Sequence, residues 1–122
     1  MKFKYTDDMP LAPVKVIGGR RTIGLNAHID FAASKTLVPS EVSERLGLEF
    51  AEFIPVATGG GTILTPLYLA RLEVFGKVFD LSIACFDLPK ESSIQALLGR
   101  DILDHFNICL NGKKKEITVK ES

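Results

Sequence analysis

Asp30 follows the stretch Ile23 to Ile29, in which Ile23, Leu25, Ala27 and Ile29 alternate with polar or small residues, and it opens the turn Phe31-Ala32-Ala33-Ser34. A carboxylate at the end of a strand with one apolar face serves as a general acid, a general base, or a cap that accepts backbone N–H groups of the turn. His28 lies two residues earlier and projects to the same side of that strand. His28, Asp30 and Ser34 also raise nucleophilic hydrolysis, but Ser34 follows a sharp turn and no Gly-x-Ser-x-Gly elbow is present. Two further stretches stand out, Gly59-Gly60-Gly61 and Leu97-Leu98-Gly99-Arg100-Asp101. The glycines suit the tip of a mobile hairpin, since no Lys-Ser/Thr follows them and no helix opens there, as a phosphate loop requires. Gly99 followed by Arg100 and Asp101 reads, on its own, as an ordinary polar helix start.

Composition narrows the function classes. The 122 residues form one domain, 1–122, large enough for a single core. Fifteen basic and fifteen acidic residues cancel, so whole-chain charge draws the protein to neither nucleic acid nor an anionic membrane. The basic run Lys113 to Lys115 follows Asn111-Gly112, a two-residue hairpin signal, and reads as a solvated turn. Cys85 and Cys109 lie in apolar runs without metal-ligand spacing, which predicts reduced, buried thiols in a reducing compartment. No apolar run approaches the roughly 18 residues of a membrane span, and "MKFKYTDDMP" lacks the apolar centre of a signal peptide. The expectation is a cytoplasmic protein with no metal and no cofactor.

The elements that must position these residues are mostly β. "APVKVIGGRRTIGLNAHID" predicts two strands joined at Gly18-Gly19. "PSEVSERLGL" predicts a helix of about two turns, with Val42 and Leu46 on one face and Gly47 as its stop. "FAEFIPVATGGGTILTPLYLARLEV" predicts a long hairpin tipped by the glycines. A repeat is also visible: "VKVIGGRRTIGLNAHI" and "LEVFGKVFDLSIACF" are both strand, glycine turn, strand, and each leads to a short helical pattern, "PSEVSERLGL" or "GRDILDHFNI". Two related halves and a final hairpin around Asn111-Gly112 complete a mostly β domain with two short helices.

In this order the motifs resemble the retropepsin-like, single-domain aspartic proteases, over about residues 13 to 119. Asp30-Phe31-Ala32-Ala33-Ser34 stands where that family has Asp-Thr-Gly-Ala-Ser, "KTLVP" supplies a similar Thr-x-x-Pro ending, "LLGRDILDHF" matches its second signature, and residues 53 to 69 match its flap. The resemblance implies an acid-protease barrel and a homodimer whose two Asp30 carboxylates share one proton and activate a water. It implies an extended peptide beneath the flap, with Gly59, Gly60 and Gly61 giving the flap its motion. Leu98, Gly99, Arg100 and Asp101 would support the active-site loop, Arg100 by bracing it. His28 would line the substrate cleft as a satisfied histidine, and the terminal "EITVKES" would join a sheet shared by two chains. Three positions depart from the pattern: Phe31 replaces a threonine, Ala32 a glycine, and Ser34 an acid that Arg100 often meets. The implied activity is endopeptidase, and the alternative is a weak or inactive peptide-binding module on the same fold.

Overall fold

Alternation of apolar and polar residues becomes sheet in the computed structural model, which describes residues 1–89 and 94–121. A short strand β1 (Lys2–Lys4) leads through a turn at Asp7 and Asp8 to β2 (Leu11–Gly18), where Ala12, Val14 and Val16 are buried and Pro13 and Lys15 exposed. β2 pairs antiparallel with β3 (Arg21–Ile29), so the expected hairpin is present. After β4 (Leu37–Val38) comes α1 (Ser40–Leu46), ended by Gly47 at φ 61°, a left-handed conformation that suits glycine and lets its amide bond the Glu44 carbonyl. β5 (Glu49–Thr58) and β6 (Gly61–Val74) form the long hairpin, tipped at Gly59-Gly60. β7 (Lys77–Cys85), β8 (Leu97–Leu98), α2 (Arg100–Leu103), β9 (Phe106–Asn111) and β10 (Glu116–Glu121) follow.

Seven strands pair in the order β2-β3-β8-β4-β7-β6-β5, and β2 also pairs with β6, which closes the first six into a ring. Within that ring the sequence repeat becomes a crosswise exchange. β8, from the second half, runs parallel to β3 of the first, and β4, from the first half, runs parallel to β7 of the second. Val16, Val38 and Val42 from the first half and Leu72, Ile83, Leu98 and Ile102 from the second, all fully buried, fill one shared centre. Burying each such side chain contributes about 1.5–3 kcal/mol, so neither half has a complete core alone.

Several expectations need correction. The last hairpin forms around Asn111-Gly112 but without a two-residue turn: Asn111 is paired with Glu116, and Gly112 to Lys115 form the turn. The Asn111 side-chain oxygen accepts the Lys114 amide (3.0 Å) and Lys115 adopts φ 53°, so the asparagine closes a longer loop from inside the strand. The helical pattern from Gly99 stops at Leu103, and Phe106 opens a strand instead. β10 lies between β1 and β9, so both its edges are paired within one chain. A shared sheet built on "EITVKES", whose last residue is outside the described residues, would have to use the outer edge of β1 or β9. Among the described residues no helix is long and apolar enough to cross a membrane.

Cys85 is buried as expected, but Cys109 is exposed because it sits on the outer face of β9. Burial pushes the Cys85 thiol up to about 11, against hydrogen bonds from Ser43 that pull it down. In the unfolded chain the thiol ionises near its ordinary 9.0, so stability falls as pH rises from about 9 towards 11. A disulfide-exchange reagent at neutral pH is therefore expected to modify Cys109 rapidly in the native protein and Cys85 only after denaturation; equal rates would contradict the placement of Cys85.

Candidate active site

Two chain segments leave the sheet side by side. His28 is opposite Leu97 and Ile29 opposite Leu98 in the parallel β3–β8 pair, so Asp30 emerges next to Gly99. The Asp30 amide donates to the Leu98 carbonyl (3.1 Å), and the Ala33 amide donates back to the Asp30 carbonyl (3.2 Å), closing the turn. The Ala32 amide donates to Asp30 Oδ1 (2.9 Å), while the other carboxylate oxygen has no hydrogen-bond partner among the described residues. One oxygen thus caps the turn and the second stays available for chemistry. Because the donor is a backbone N–H, alanine in place of glycine retains it. Phe31, next to the acid, is 46% exposed despite being a large apolar side chain.

The turn is held by a clasp to the second segment. Gly99 packs against the Lys35–Thr36 peptide so closely that a Cβ there would lie 2.6 Å from the Lys35 carbonyl carbon, which only glycine avoids. The Gly99 amide donates to Thr36 Oγ1 (3.1 Å), and the Thr36 hydroxyl and amide both donate to the Asp101 carboxylate (2.7 and 2.9 Å). Hydrogen bonds to an ionised group contribute about 1.5–3 kcal/mol each, and Thr36 is only 1% exposed. Asp101 therefore reaches across to the other segment; α2 has no side-chain cap. Arg100 adds two contacts, its amide to the Ala33 carbonyl (2.8 Å) and Nη1 to the Phe31 carbonyl (2.7 Å). Arg100 braces the loop through a main-chain carbonyl, so the acid missing at Ser34 is not needed for it.

The repeat makes an internal comparison possible. The His28 amide bonds the Ala96 carbonyl as the Ala84 amide bonds that of Thr36, and Asp30 bonds Leu98 as Phe86 bonds Val38. Phe86 thus occupies in the second half the place that Asp30 occupies in the first. Beside it, Asp87 accepts the Ser40 amide (2.9 Å) and hydroxyl (2.7 Å), which hold its carboxyl below the usual carboxylate range. The chain carries one acid where its near-symmetry offers two places.

A cavity of about 470 Å³ opens between this loop and the long hairpin. Ala32, Ala33, Ser34 and Arg100 line it on the loop side, and Ile54, Val56, Ile63 and Thr65 on the hairpin side. Asp30, His28 and the glycines 59–61 lie outside its wall, and Leu98 and Gly99 are buried behind the loop. His28 is not satisfied as expected: its Nδ1 is enclosed without a hydrogen-bond partner among the described residues. Sequence reasoning missed the clasp on Thr36, whose signal was the "KTLVP" ending itself, and the Ser40–Asp87 counterpart.

No protein-family model and no curated protein matches the sequence. The fold does match solved structures. The EIAV protease in an inhibitor complex superposes with TM-score 0.64 at 20% identity, over 80% of this chain and 88% of that one. A retropepsin-like aspartic protease from Rickettsia conorii gives 0.57 at 18% identity, over 98% and 88%, and the simian foamy virus protease 0.55 at 19%, over 77% and 91%. The fold is that of the retropepsin-like aspartic proteases. In that frame the ring of strands, the crossed segments and the long hairpin carry Asp30 on a retropepsin-like scaffold, with the sequence signatures in the order expected.

Thr36→Val removes the hydroxyl and strands the Gly99 amide and one Asp101 oxygen, at an expected cost of about 2–3 kcal/mol in urea denaturation. Thr36→Ser keeps the hydroxyl and should lose about 1 kcal/mol or less. Equal losses would show that the clasp is not what holds the loops together.

Proposed function

We propose that the protein is a homodimeric aspartic endopeptidase in which Asp30 of two chains meets across a twofold axis. The observation that carries this reading is the single acid: Asp30 has a pinned backbone and one unpartnered oxygen, and its internal counterpart is Phe86. A two-carboxylate centre then requires a second copy. The exposed Phe31 beside Asp30 gives that contact an apolar surface to bury.

Two carboxylates about 3 Å apart resist double ionisation and share a proton, a general property of aspartic-protease dyads rather than one read from this chain. The ionised member takes a proton from a water as that water attacks the peptide carbonyl. The protonated member donates to the developing oxyanion, and the leaving amine takes up a proton as the C–N bond breaks. Asp30 Oδ1, tied to the Ala32 amide, keeps the carboxylate oriented throughout. The β5–β6 hairpin serves as the flap over an extended peptide, with Gly59, Gly60 and Gly61 giving its tip the freedom to move, and with no metal or cofactor in the scheme. An exposed, unpaired Cys109 fits a reducing compartment, in line with the cytoplasm.

Peptide-library cleavage between pH 3 and 7 tests the proposal. Asp30→Asn should lower the rate by about 10³-fold or more, and cleavage by the Asn variant at the wild-type rate would overturn it. Phe31→Thr combined with Ala32→Gly should change an efficient enzyme little. A gain of about 100-fold would instead identify a peptide-binding module that has lost its catalytic geometry.

A further inference from the structure

We propose that the cleft selects extended peptides in which an acidic side chain neighbours an aliphatic one, and that Lys35 and Arg100 read the acid. The inference rests on the reading of the cavity as a peptide cleft, though not on catalysis.

The cavity wall has two characters. Its hairpin side is aliphatic, from Ile54, Val56 and Ile63, and Leu37 and Leu97 extend that surface across the floor. At the loop side Lys35 and Arg100 contribute to the wall, and among the described residues no Asp or Glu does. The whole chain is neutral, so this is a local excess of positive charge. Among the described residues neither cation has an ion-pair partner, whereas Lys2, Arg71, Lys77 and Lys115 each pair with a carboxylate. Arg100 spends one N–H on the Phe31 carbonyl, a neutral acceptor, which orients the guanidinium without cancelling its charge. A guanidinium carries five donors, so others are left for a carboxylate. The Lys35 backbone is equally well placed, since its peptide is locked under Gly99. Exposed Ser34, at the end of the active-site turn, also lines the cavity, adding a hydroxyl and no opposing charge. A low-dielectric aliphatic wall beside two cations that have no ion-pair partner among the described residues favours a ligand that is apolar at one residue and anionic at a near neighbour.

The test is binding of fluorescent decapeptides with a central aliphatic pair, in which one flanking position at a time is Glu, Gln or Lys. Full-length Asp30→Asn protein is used at pH 6, so that peptides stay intact and Glu is ionised. The expected result is that, at the best position, the Glu peptide binds about 5- to 10-fold more tightly than the Gln peptide, with the advantage shrinking in 0.5 M salt. Lys35→Glu should reverse the order in favour of Lys, and Lys35→Gln should reduce the Glu advantage to about 2- to 3-fold, with circular dichroism confirming that both variants are folded. Equal binding of Glu and Gln peptides, a preference untouched by Lys35→Gln, Lys35→Glu and salt, or no peptide binding would each overturn the proposal. Wild-type cleavage of the same peptides separates the two readings. Binding with Glu preference but no cleavage removes the peptidase and leaves this inference; cleavage without charge preference does the reverse.

Discussion

The arrangement around Asp30 depends on a close crossing of two backbones at Gly99 and the Lys35–Thr36 peptide. Two main chains can pass at this distance only if one has no side chain and the polar groups brought together are paired. Gly99 meets the first condition. The Thr36 hydroxyl and the Asp101 carboxylate meet the second by taking up donors from both segments in a site that water hardly reaches. Asp101 is thereby committed to structure, although its position beside a catalytic-looking loop makes it a tempting candidate for chemistry. Asp30, with one oxygen unpartnered, is the acid that remains.

The same crossing explains why the fold is cooperative across its two halves. Each short strand, β4 or β8, is only two residues long and would be meaningless as an isolated strand. Each survives because it is inserted beside the other half's hairpin and is followed by a helix whose buried residues, Val42 and Leu46 or Ile102 and Leu103, seal the core behind it. The repeat is broken at the surface, where Asp30 and Phe86 differ, as do Arg100 and Ser40. Packing maintains the symmetry, and the cleft departs from it.

What could be read before the structure follows from the range of the forces involved. The alternation of Ile23, Leu25, Ala27 and Ile29, the stop at Gly47 and the glycine-tipped hairpin are local patterns, and each is found where the spacing put it. The clasp is not local: Thr36 and Asp101 lie 65 residues apart, and no periodicity links a buried threonine to a distant carboxylate. Asn111 misled because Asn-Gly favours a tight turn only when nothing better is offered. Here the side chain finds the Lys114 amide and the loop lengthens. Cys109 misled because an apolar run on an edge strand still has an outer face. The candidate site was legible as an ordered set of motifs, while its support was visible only in three dimensions.

The most direct test of the account is a crystal structure of the protein in its oligomeric form, read at one distance. If the scaffold does what is proposed, Asp30 oxygens from two chains lie about 3 Å apart across a twofold axis, with Phe31 from each chain buried in the contact. A dimer that turns its Asp30 residues away from one another, or a monomer at every concentration in solution, would contradict it.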